Sequence, residues 1–302
     1  MLDLSHLRCF VAVASELHFG RAAQKLHMTQ PPLSRQIRLL EERLGQRLLE
    51  RNSQTVELTA AGLRFLPEAQ SLLQRAQDLE AMMNEAGDEP EGRLRMGFYG
   101  AASFYLLPSI MVAMAKHYPR VTLELKELNA LQQIDAFGFG DIDIGLARPT
   151  SLTPRLTSSI VLREDLLVAL PDDHPLATRA TLRPQDLQGE PFIAYGPKGP
   201  YMHSVQQAIF AQNAVAPKII QSLAHAEGIL SLVSVGLGLS VVSGHAICVQ
   251  RRNVTFRPLV ESGTSQALTH IVTHRETQRP LVDQITRFIC EVGLALPPRL
   301  HP

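Results

Sequence analysis

The chain has 302 residues, 45% of them apolar, and a formal net charge of zero. This length is typical of two or three domains with sizeable hydrophobic cores, and the apolar content is ordinary for a globular protein. The three cysteines (Cys9, Cys248 and Cys290) are widely spaced, which excludes a disulfide framework and a zinc site and favours a reducing compartment. The sequence shows no leader pattern and no long apolar run, so we expect a cytoplasmic protein without a membrane partner.

The charge is unevenly distributed along the chain. Residues 1–65 carry nine Lys/Arg and six Asp/Glu, a balance of +3, together with three histidines. A modestly basic N-terminal module on a neutral body favours local binding to nucleic acid over general binding to polyanions. The first predicted helix of this module has an apolar face at helical spacing, formed by Leu4, Leu7, Val11 and Ala14.

Two short helices joined by a tight turn are predicted within residues 18–51. The first helix has an apolar face formed by Phe19, Ala22, Ala23 and Leu26. The turn ends at Thr29, whose hydroxyl is expected to cap the second helix. Pro31 and Pro32 follow in the first turn of that helix, where a missing N–H costs little. The second helix then has a core stripe formed by Leu33, Ile37, Leu40 and Leu44.

The opposite face of the second helix is polar and basic. Gln and Arg side chains make bidentate contacts with base edges, while Ser and Arg also hold phosphates. The alternative is a helical pair that only packs, but packing does not require Gln and Arg on an outer face. The pattern therefore predicts a helix that enters the major groove of DNA. Its candidate DNA contacts are Gln30, Pro31, Pro32, Ser34, Arg35 and Arg38.

A short hairpin and a long helix are predicted next. Residues 48–51 and 56–58 flank a polar tip, which places Arg51 and Gln54 on a wing beside the second helix. Thr59 can cap the following helix, which is predicted to run to about residue 85. Pro67 inside it removes one backbone hydrogen bond, so a local kink is expected near Leu63.

The long helix carries an apolar stripe that an isolated helix would expose to water. It therefore needs a partner. The partner is either a second copy of the chain or, if the helix folds back, its own domain. The stripe consists of Leu66, Leu73, Leu79 and Met83.

A turn-rich, acidic segment at residues 87–92 predicts a hinge, after which strands and helices alternate. The predicted strands are 94–98, 121–126, 142–147, 166–170, 192–195, 219–223, 240–242 and 267–273. The predicted helices are 106–117, 131–139, 201–213, 227–235 and 281–294. This alternation predicts an α/β part with parallel sheets covered by helices. The Gly236-Leu237-Gly238 run lacks a third glycine and is interpreted as a helix-to-strand turn rather than a dinucleotide site.

The chain resembles the LysR-type transcriptional regulators. The resemblance is most specific in AAQKLHMTQPPLSRQIRLLEERLGQRLLER and VELTAAG, before residue 65, and continues through GDIDIGLAR, DHPLA and LVSVGLGLSVVS. In pattern the chain is similar to the aromatic-catabolism branch that responds to muconate and chlorocatechol. The resemblance implies a homotetramer on a dyad-symmetric promoter site, with double-stranded DNA, a small effector and RNA polymerase as the partners to consider.

The resemblance also implies the domain organisation. Residues 1–58 would form an all-α winged helix-turn-helix domain, residues 59–86 a linker and dimerisation helix that pairs antiparallel with a second chain, and residues 87–92 a hinge. Residues 93–302 would form an α/β effector domain of the periplasmic-binding-protein type. Its first lobe would hold about residues 93–166 and 267–295, and its second lobe about residues 167–266.

Ligands of such folds bind at the carboxyl ends of strands, where helix N-termini face a crevice. In the similar branch, hydroxyl side chains and an arginine at these places hold carboxylates. This chain keeps the arginine as Arg148 but has Ala101 and Ala130 in place of the hydroxyls, so we expect a monocarboxylate with an aromatic or aromatic-derived body, bound between the lobes. Phe104 and Tyr195 are further aromatic candidates, although core packing is the alternative for each aromatic side chain and an ion pair for Arg148. The candidate effector contacts are Tyr99, Gly100, Ala101, Ala102, Ser103, Asn129, Ala130, Arg148, Pro200, Tyr201, Met202 and His203.

Two other classes of function are less consistent with the sequence. A two-lobed solute-binding or carrier protein would need an export signal and no DNA-binding module. An enzyme would need a nucleophile and base, and the sequence shows no such constellation, no Gly-x-Ser-x-Gly elbow and no P-loop. His270 and His274 lie four apart, but the residues between them are predicted as strand, which places the two side chains too far apart to share a zinc ion. We expect no catalytic residues, no metal and no cofactor.

Overall fold

The computed structural model describes residues 2–51, 55–84, 90–263, 266–275 and 279–297. Its helices are α1 (Leu4–Glu16), α2 (Phe19–Lys25), α3 (Gln30–Leu44), α4 (Ala60–Asn84), α5 (Leu106–His117), α6 (Ala130–Gly138), α7 (Pro200–Asn213), α8 (Ala226–Val233) and α9 (Pro280–Ala295). Its strands are β1 (Leu49–Arg51), β2 (Val56–Leu58), β3 (Gly92–Phe98), β4 (Val121–Glu127), β5 (Ile144–Ala147), β6 (Leu156–Pro171), β7 (Pro191–Tyr195), β8 (Lys218–Leu223), β9 (Ser240–Ser243), β10 (Val254–Pro258) and β11 (Gln266–His274). Gln54, the predicted helix end at residue 85 and residues 87–89 of the predicted hinge lie outside the described residues.

The N-terminal helices pack around one hydrophobic core. The predicted stripe of α3 is confirmed, because Leu33, Ile37 and Leu40 are fully buried, and most of the predicted face of α1 is buried with them. Leu4, in the first turn of α1, is instead 45% exposed. These contacts are what hold the outer face of α3 toward solvent.

The predicted cap at Thr29 is wrong. Thr29 occupies the N-cap position of α3, but its side chain makes no capping hydrogen bond. A capping side chain accepts from the N–H of the second or third helical residue. In α3 these residues are Pro31 and Pro32, which have no N–H to donate. The double proline therefore begins the helix without a hydroxyl cap.

The long helix α4 begins as predicted, since the Thr59 hydroxyl accepts a hydrogen bond of 2.9 Å from the Gly62 N–H. The positions of its predicted apolar stripe do not share one environment. Leu73 is only 3% exposed and Leu66 is partly buried, both against the core that α1 shares with α4. Leu79 is 63% exposed, and the side chain of Met83 lies outside the described residues. The helix therefore buries its N-terminal apolar positions on its own domain, and Leu79 lies beyond the reach of that core.

The predicted helices and strands of the C-terminal part are confirmed to within a few residues, and α5 matches its prediction at both ends. Two features are new. Strand β6 begins ten residues earlier than predicted, at Leu156, and β10 was not predicted at all. Gly236 has a φ of +78°, which confirms the interpretation of its segment as a turn between α8 and β9.

The prediction of purely parallel sheets is wrong. β7 and β8 do pair parallel, but β9 and β10 both pair antiparallel with the second half of β6. Because β9 and β10 both run opposite to β6, they run parallel to one another, and the connection between them, which includes the 3-10 helix Gly244–Cys248, is a crossover. Parallel and antiparallel pairs therefore both occur in the C-terminal part, with β7 and β8 in a two-stranded sheet of their own.

The chain divides into two compact units. The first consists of residues 1–97, 120–144 and 274–283, and the second of residues 98–119, 145–273 and 284–302. This division does not coincide with the predicted lobes, whose limits stay a prediction. Within the first unit, Phe139 at the end of α6 packs against the core of the N-terminal helices, and the Lys25 ammonium lies 4.3 Å from the centre of its ring. Among the described residues, no helix is both long and apolar enough to cross a lipid bilayer.

Candidate DNA-binding and effector sites

The exposed N-terminal half of α3 carries the candidate DNA contacts. Five of them are exposed, namely Gln30, Pro31, Pro32, Arg35 and Arg38, and Ser34 is partly buried. Arg38 lies 3.7 Å from Glu42 one turn later, in an ion pair whose side chains are both more than half exposed. Such an exposed pair is weak and can yield to a phosphate at little cost.

The Glu41 carboxylate, near the end of α3, connects this helix to the wing by hydrogen bonds. Glu41 accepts hydrogen bonds from the backbone N–H groups of Leu48, at 2.9 Å, and Leu49, at 3.1 Å. Gly45 ends the helix at a φ of +63°, a conformation that glycine adopts without strain. This arrangement starts β1 beside α3, where β1 pairs antiparallel with β2. Arg51 ends β1, and its side chain, like the whole of Gln54, lies outside the described residues.

The second unit contains the candidate effector residue Arg148, which follows β5. Its guanidinium lies 2.6 Å from the Glu164 carboxylate and also donates to the Leu268 carbonyl at 3.0 Å. Longer contacts of 3.3 Å reach the hydroxyls of Thr269 and Ser243. Glu164 in β6 therefore compensates the charge of Arg148. The ion-pair alternative is observed, here within the second unit, and a contact of Arg148 with an effector stays a prediction.

Two aromatic rings lie over the Arg148 guanidinium. Its central carbon is 5.0 Å from the ring centre of Tyr99 and 5.4 Å from that of Tyr201. Both hydroxyls are held by β11: that of Tyr99 lies 2.7 Å from the Thr269 hydroxyl, and that of Tyr201 accepts from the Leu268 N–H at 2.8 Å. Burial raises the pKa of Tyr99 to about 12, so this phenol is neutral at physiological pH.

The remaining candidates of the second unit are dispersed. Ala101, Ala102 and Ser103 lie in a 3-10 helix that begins at Gly100, whose carbonyl accepts from the Ser103 hydroxyl at 2.6 Å. Pro200 begins α7, and His203 Nδ1 lies 2.7 Å from the Tyr195 carbonyl. Tyr195 and Met202 are buried in the hydrophobic core, as the packing alternative required.

Asn129 and Ala130 belong to the first unit. Asn129 caps α6 reciprocally with Gln132: its side chain accepts from the Gln132 N–H at 3.0 Å, and its own N–H donates to the Gln132 side chain at 2.9 Å. Its amide oxygen is therefore used within the helix, and Ala130 opens α6.

Sequence reasoning missed two side chains beside Arg148. Burial alone would raise the pKa of Glu164, but Arg148 and His245 lower it to about 2. His245 Nδ1 lies 2.7 Å from Glu164, and the imidazole stacks on Tyr105 with ring centres 4.3 Å apart. Glu164 was missed because the predicted strand began at residue 166. His245 lies two residues after the end of β9. The expectation that ligands bind at the carboxyl ends of strands, which selected Tyr99, would therefore have selected His245 as well.

Comparison with known proteins is consistent with this architecture. Residues 4–63 match the model for the bacterial regulatory helix-turn-helix protein, lysR family, and residues 87–293 match the LysR substrate binding domain. The HTH-type transcriptional regulator AlsR of Bacillus subtilis is 37% identical over 262 residues, which are 85% of this chain and 86% of AlsR. The uncharacterized HTH-type transcriptional regulator YnfL of Escherichia coli is 35% identical over 281 residues, or 92% of this chain and 95% of YnfL.

A solved structure supports the same assignment. The crystal structure of full-length BenM has a TM-score of 0.61 and 31% identity, and the match covers 99% of this chain and all of BenM. The BenM protein of Acinetobacter baylyi is 34% identical over 264 residues, 86% of each chain. The two family models together cover most of the chain, and they match its N-terminal winged helix-turn-helix domain and its α/β domain. The chain therefore belongs to the LysR family of DNA-binding transcriptional regulators, which are not enzymes.

Proposed function

We propose that the chain is a ligand-responsive regulator that reads promoter DNA with the N-terminal half of α3. The observation that supports this proposal is that α3 exposes a polar face, while Leu33, Ile37 and Leu40 on its opposite face are fully buried. Gln30, Ser34, Arg35 and Arg38 would contact bases or phosphates, while Pro31 and Pro32 would bring the start of α3 close to the DNA backbone. Arg51 and Gln54 would contact DNA from the wing.

Self-association would use the part of α4 that its own domain leaves exposed. Leu72 is 43% exposed and Leu79 is 63% exposed, and they are seven residues apart, so they lie on one side of the helix. A second copy of α4, running antiparallel, would bury both. The dimer would place two α3 helices on the two halves of a dyad-symmetric site, and two dimers would form the homotetramer. RNA polymerase would be the partner of the promoter-bound assembly.

The effector would be a small anion, with a monocarboxylate on an aromatic or aromatic-derived body as the preferred class. The observation that supports this proposal is the Arg148 guanidinium, which lies 5.0 Å from the ring centre of Tyr99 and 5.4 Å from that of Tyr201. The rings favour a flat body, and the guanidinium favours a carboxylate. Because Glu164 offsets the charge of Arg148, the site would serve one carboxylate and would disfavour a compact dianion.

A ligand panel on the full-length chain tests the effector class. Benzoate, cyclohexanecarboxylate, succinate, benzamide and benzylamine differ in charge and in the flatness of their bodies, and thermal unfolding reports binding. A ligand at a hundred times its Kd stabilises the folded state by about 2.7 kcal/mol, which shifts the midpoint by several degrees for a domain of this size. We expect benzoate to stabilise more than succinate or benzamide. Stabilisation by benzamide or benzylamine above benzoate contradicts the proposal.

A further inference from the structure

His245 has a buried nitrogen that makes no hydrogen bond to any residue that the structure describes. Its side chain is 6% exposed, and its Nε2 atom has no partner among the described residues. Most buried polar atoms in folded proteins are paired, and an unpaired one weakens the structure unless a ligand or a water completes it. The atom therefore marks a place where a further polar group is expected.

The neighbours of His245 determine what kind of group this is. Nδ1 lies 2.7 Å from a Glu164 carboxylate oxygen. Glu164 is ionised at neutral pH, so it only accepts, and Nδ1 must carry a proton. Arg148 already compensates the charge of Glu164, so a neutral imidazole completes this buried group without excess charge, and its Nε2 is then the acceptor. The other carboxylate oxygen of Glu164 is held by Arg148, and stacking on Tyr105 fixes the plane of the ring.

His245 is also close in the structure to the candidate effector residues. The 3-10 helix Gly244–Cys248, which contains it, packs against the 3-10 helix Gly100–Phe104. Ser243, the residue before this 3-10 helix, accepts from the Arg148 guanidinium at 3.3 Å. The charges of Arg148 and Glu164 compensate one another, so net charge alone selects an effector only weakly. A hydrogen-bond acceptor at His245 would add a second basis for selecting the effector.

We propose that His245 is a specificity-determining residue of the effector site, and that its Nε2 accepts a hydrogen bond from a hydroxyl or N–H group of the effector. The inference rests on the proposed function and narrows it. The effector is then a carboxylate that also carries a hydrogen-bond donor, such as a hydroxy-substituted aromatic acid. Unsubstituted and methoxy-substituted acids of the same shape cannot satisfy this nitrogen.

The test compares matched ligands on the full-length protein by calorimetric titration. The probes are benzoate, the three hydroxybenzoates and the three methoxybenzoates. One hydroxybenzoate is expected to bind about tenfold more tightly than both benzoate and its own methoxy counterpart, since a single satisfied hydrogen bond has about this effect. Equal binding of all three classes overturns the role of His245 and leaves the anionic effector standing. Failure of every carboxylate to bind overturns the proposed effector class as well.

Two variants assign the preference to Nε2. Asparagine at position 245 keeps a donor near Nδ1 but has no atom at the place of Nε2, whereas glutamine extends its amide to that place. H245N is expected to lose the tenfold preference of the hydroxy acid over its own methoxy counterpart, and H245Q to keep part of it. A preference that survives intact in H245N overturns the proposal and points to a buried water at Nε2. Should H245N fail to fold, judged by its unfolding midpoint, the wild-type comparison of hydroxy and methoxy acids still decides.

Discussion

The Glu164 carboxylate lies 2.6 Å from the Arg148 guanidinium, and both side chains are largely buried. The positive charge that a ligand meets at Arg148 is therefore reduced as long as Glu164 is ionised. Removing one member of a buried pair leaves the other without compensation, which costs about 3–5 kcal/mol. The pair thus links the stability of the effector domain to the electrostatics of its candidate site.

The stability of the domain should depend on the ionisation of Glu164. Its pKa is about 2 in the folded chain and 4.5 ordinarily. Because the folded value is the lower one, the stabilisation is fully present above about pH 4.5 and is lost as the pH falls toward 2. Between pH 5 and pH 3 the loss from this group amounts to about 2 kcal/mol. Urea unfolding of wild type and E164Q at both pH values measures it. An equal pH dependence of the two proteins contradicts the prediction.

Gly62 should not tolerate a side chain. A Cβ added there would lie 2.1 Å from the Leu48 carbonyl oxygen, an atom of the backbone that connects α3 to the wing. We expect G62A to destabilise the N-terminal domain by about 1–3 kcal/mol, the usual cost of overpacking. Denaturant unfolding measures this loss. A60S, an exposed change in the same turn of α4, is the control and should change stability by less than about 0.5 kcal/mol.

Arg35 should contribute specific contacts to DNA. It is exposed on α3, one turn before Arg38. If it reads a base edge, R35A should weaken binding to the target promoter by about 1–3 kcal/mol and binding to random DNA by much less. Titrations of both DNAs at one salt concentration measure this. R43A, which removes the same charge from the last turn of α3, is the matched control. Equal losses of R35A on both DNAs would reduce Arg35 to a phosphate contact.

The exposed leucines of α4 should mediate assembly. L72E/L79E places two charges on the exposed side of the helix and should abolish the dimer, since each buried leucine stabilises by about 1.5–3 kcal/mol. Sedimentation of the variant measures its mass. The contrasting variant is L73A, which opens a cavity in the domain's own core and should lower its unfolding midpoint while the assembly persists. An unchanged mass for L72E/L79E would show that α4 is not the pairing surface.

Much of the local structure was determined by the sequence alone. The limits of α5, the buried stripe of α3 and the turn at Gly236 follow from periodicity and from residues with special backbone preferences, which act over a few neighbouring positions. For the same reason the residues on the exposed face of α3 could be named in advance. Strand limits were less certain where a strand continues past its apolar run, as β6 does toward Leu156.

The candidate effector site was decided by tertiary structure. Arg148 could be placed at the end of a strand, but its neutralisation by Glu164 depends on the pairing of β6 within the sheet, and its bond to the Leu268 carbonyl joins residues 120 positions apart. The two faces of α4 were separated in the same way, because only packing against α1 decides that Leu73 is buried and Leu79 is not. Charge compensation and burial depend on which elements become neighbours in space. The spacing of residues within one segment does not show which other segments will pack against it.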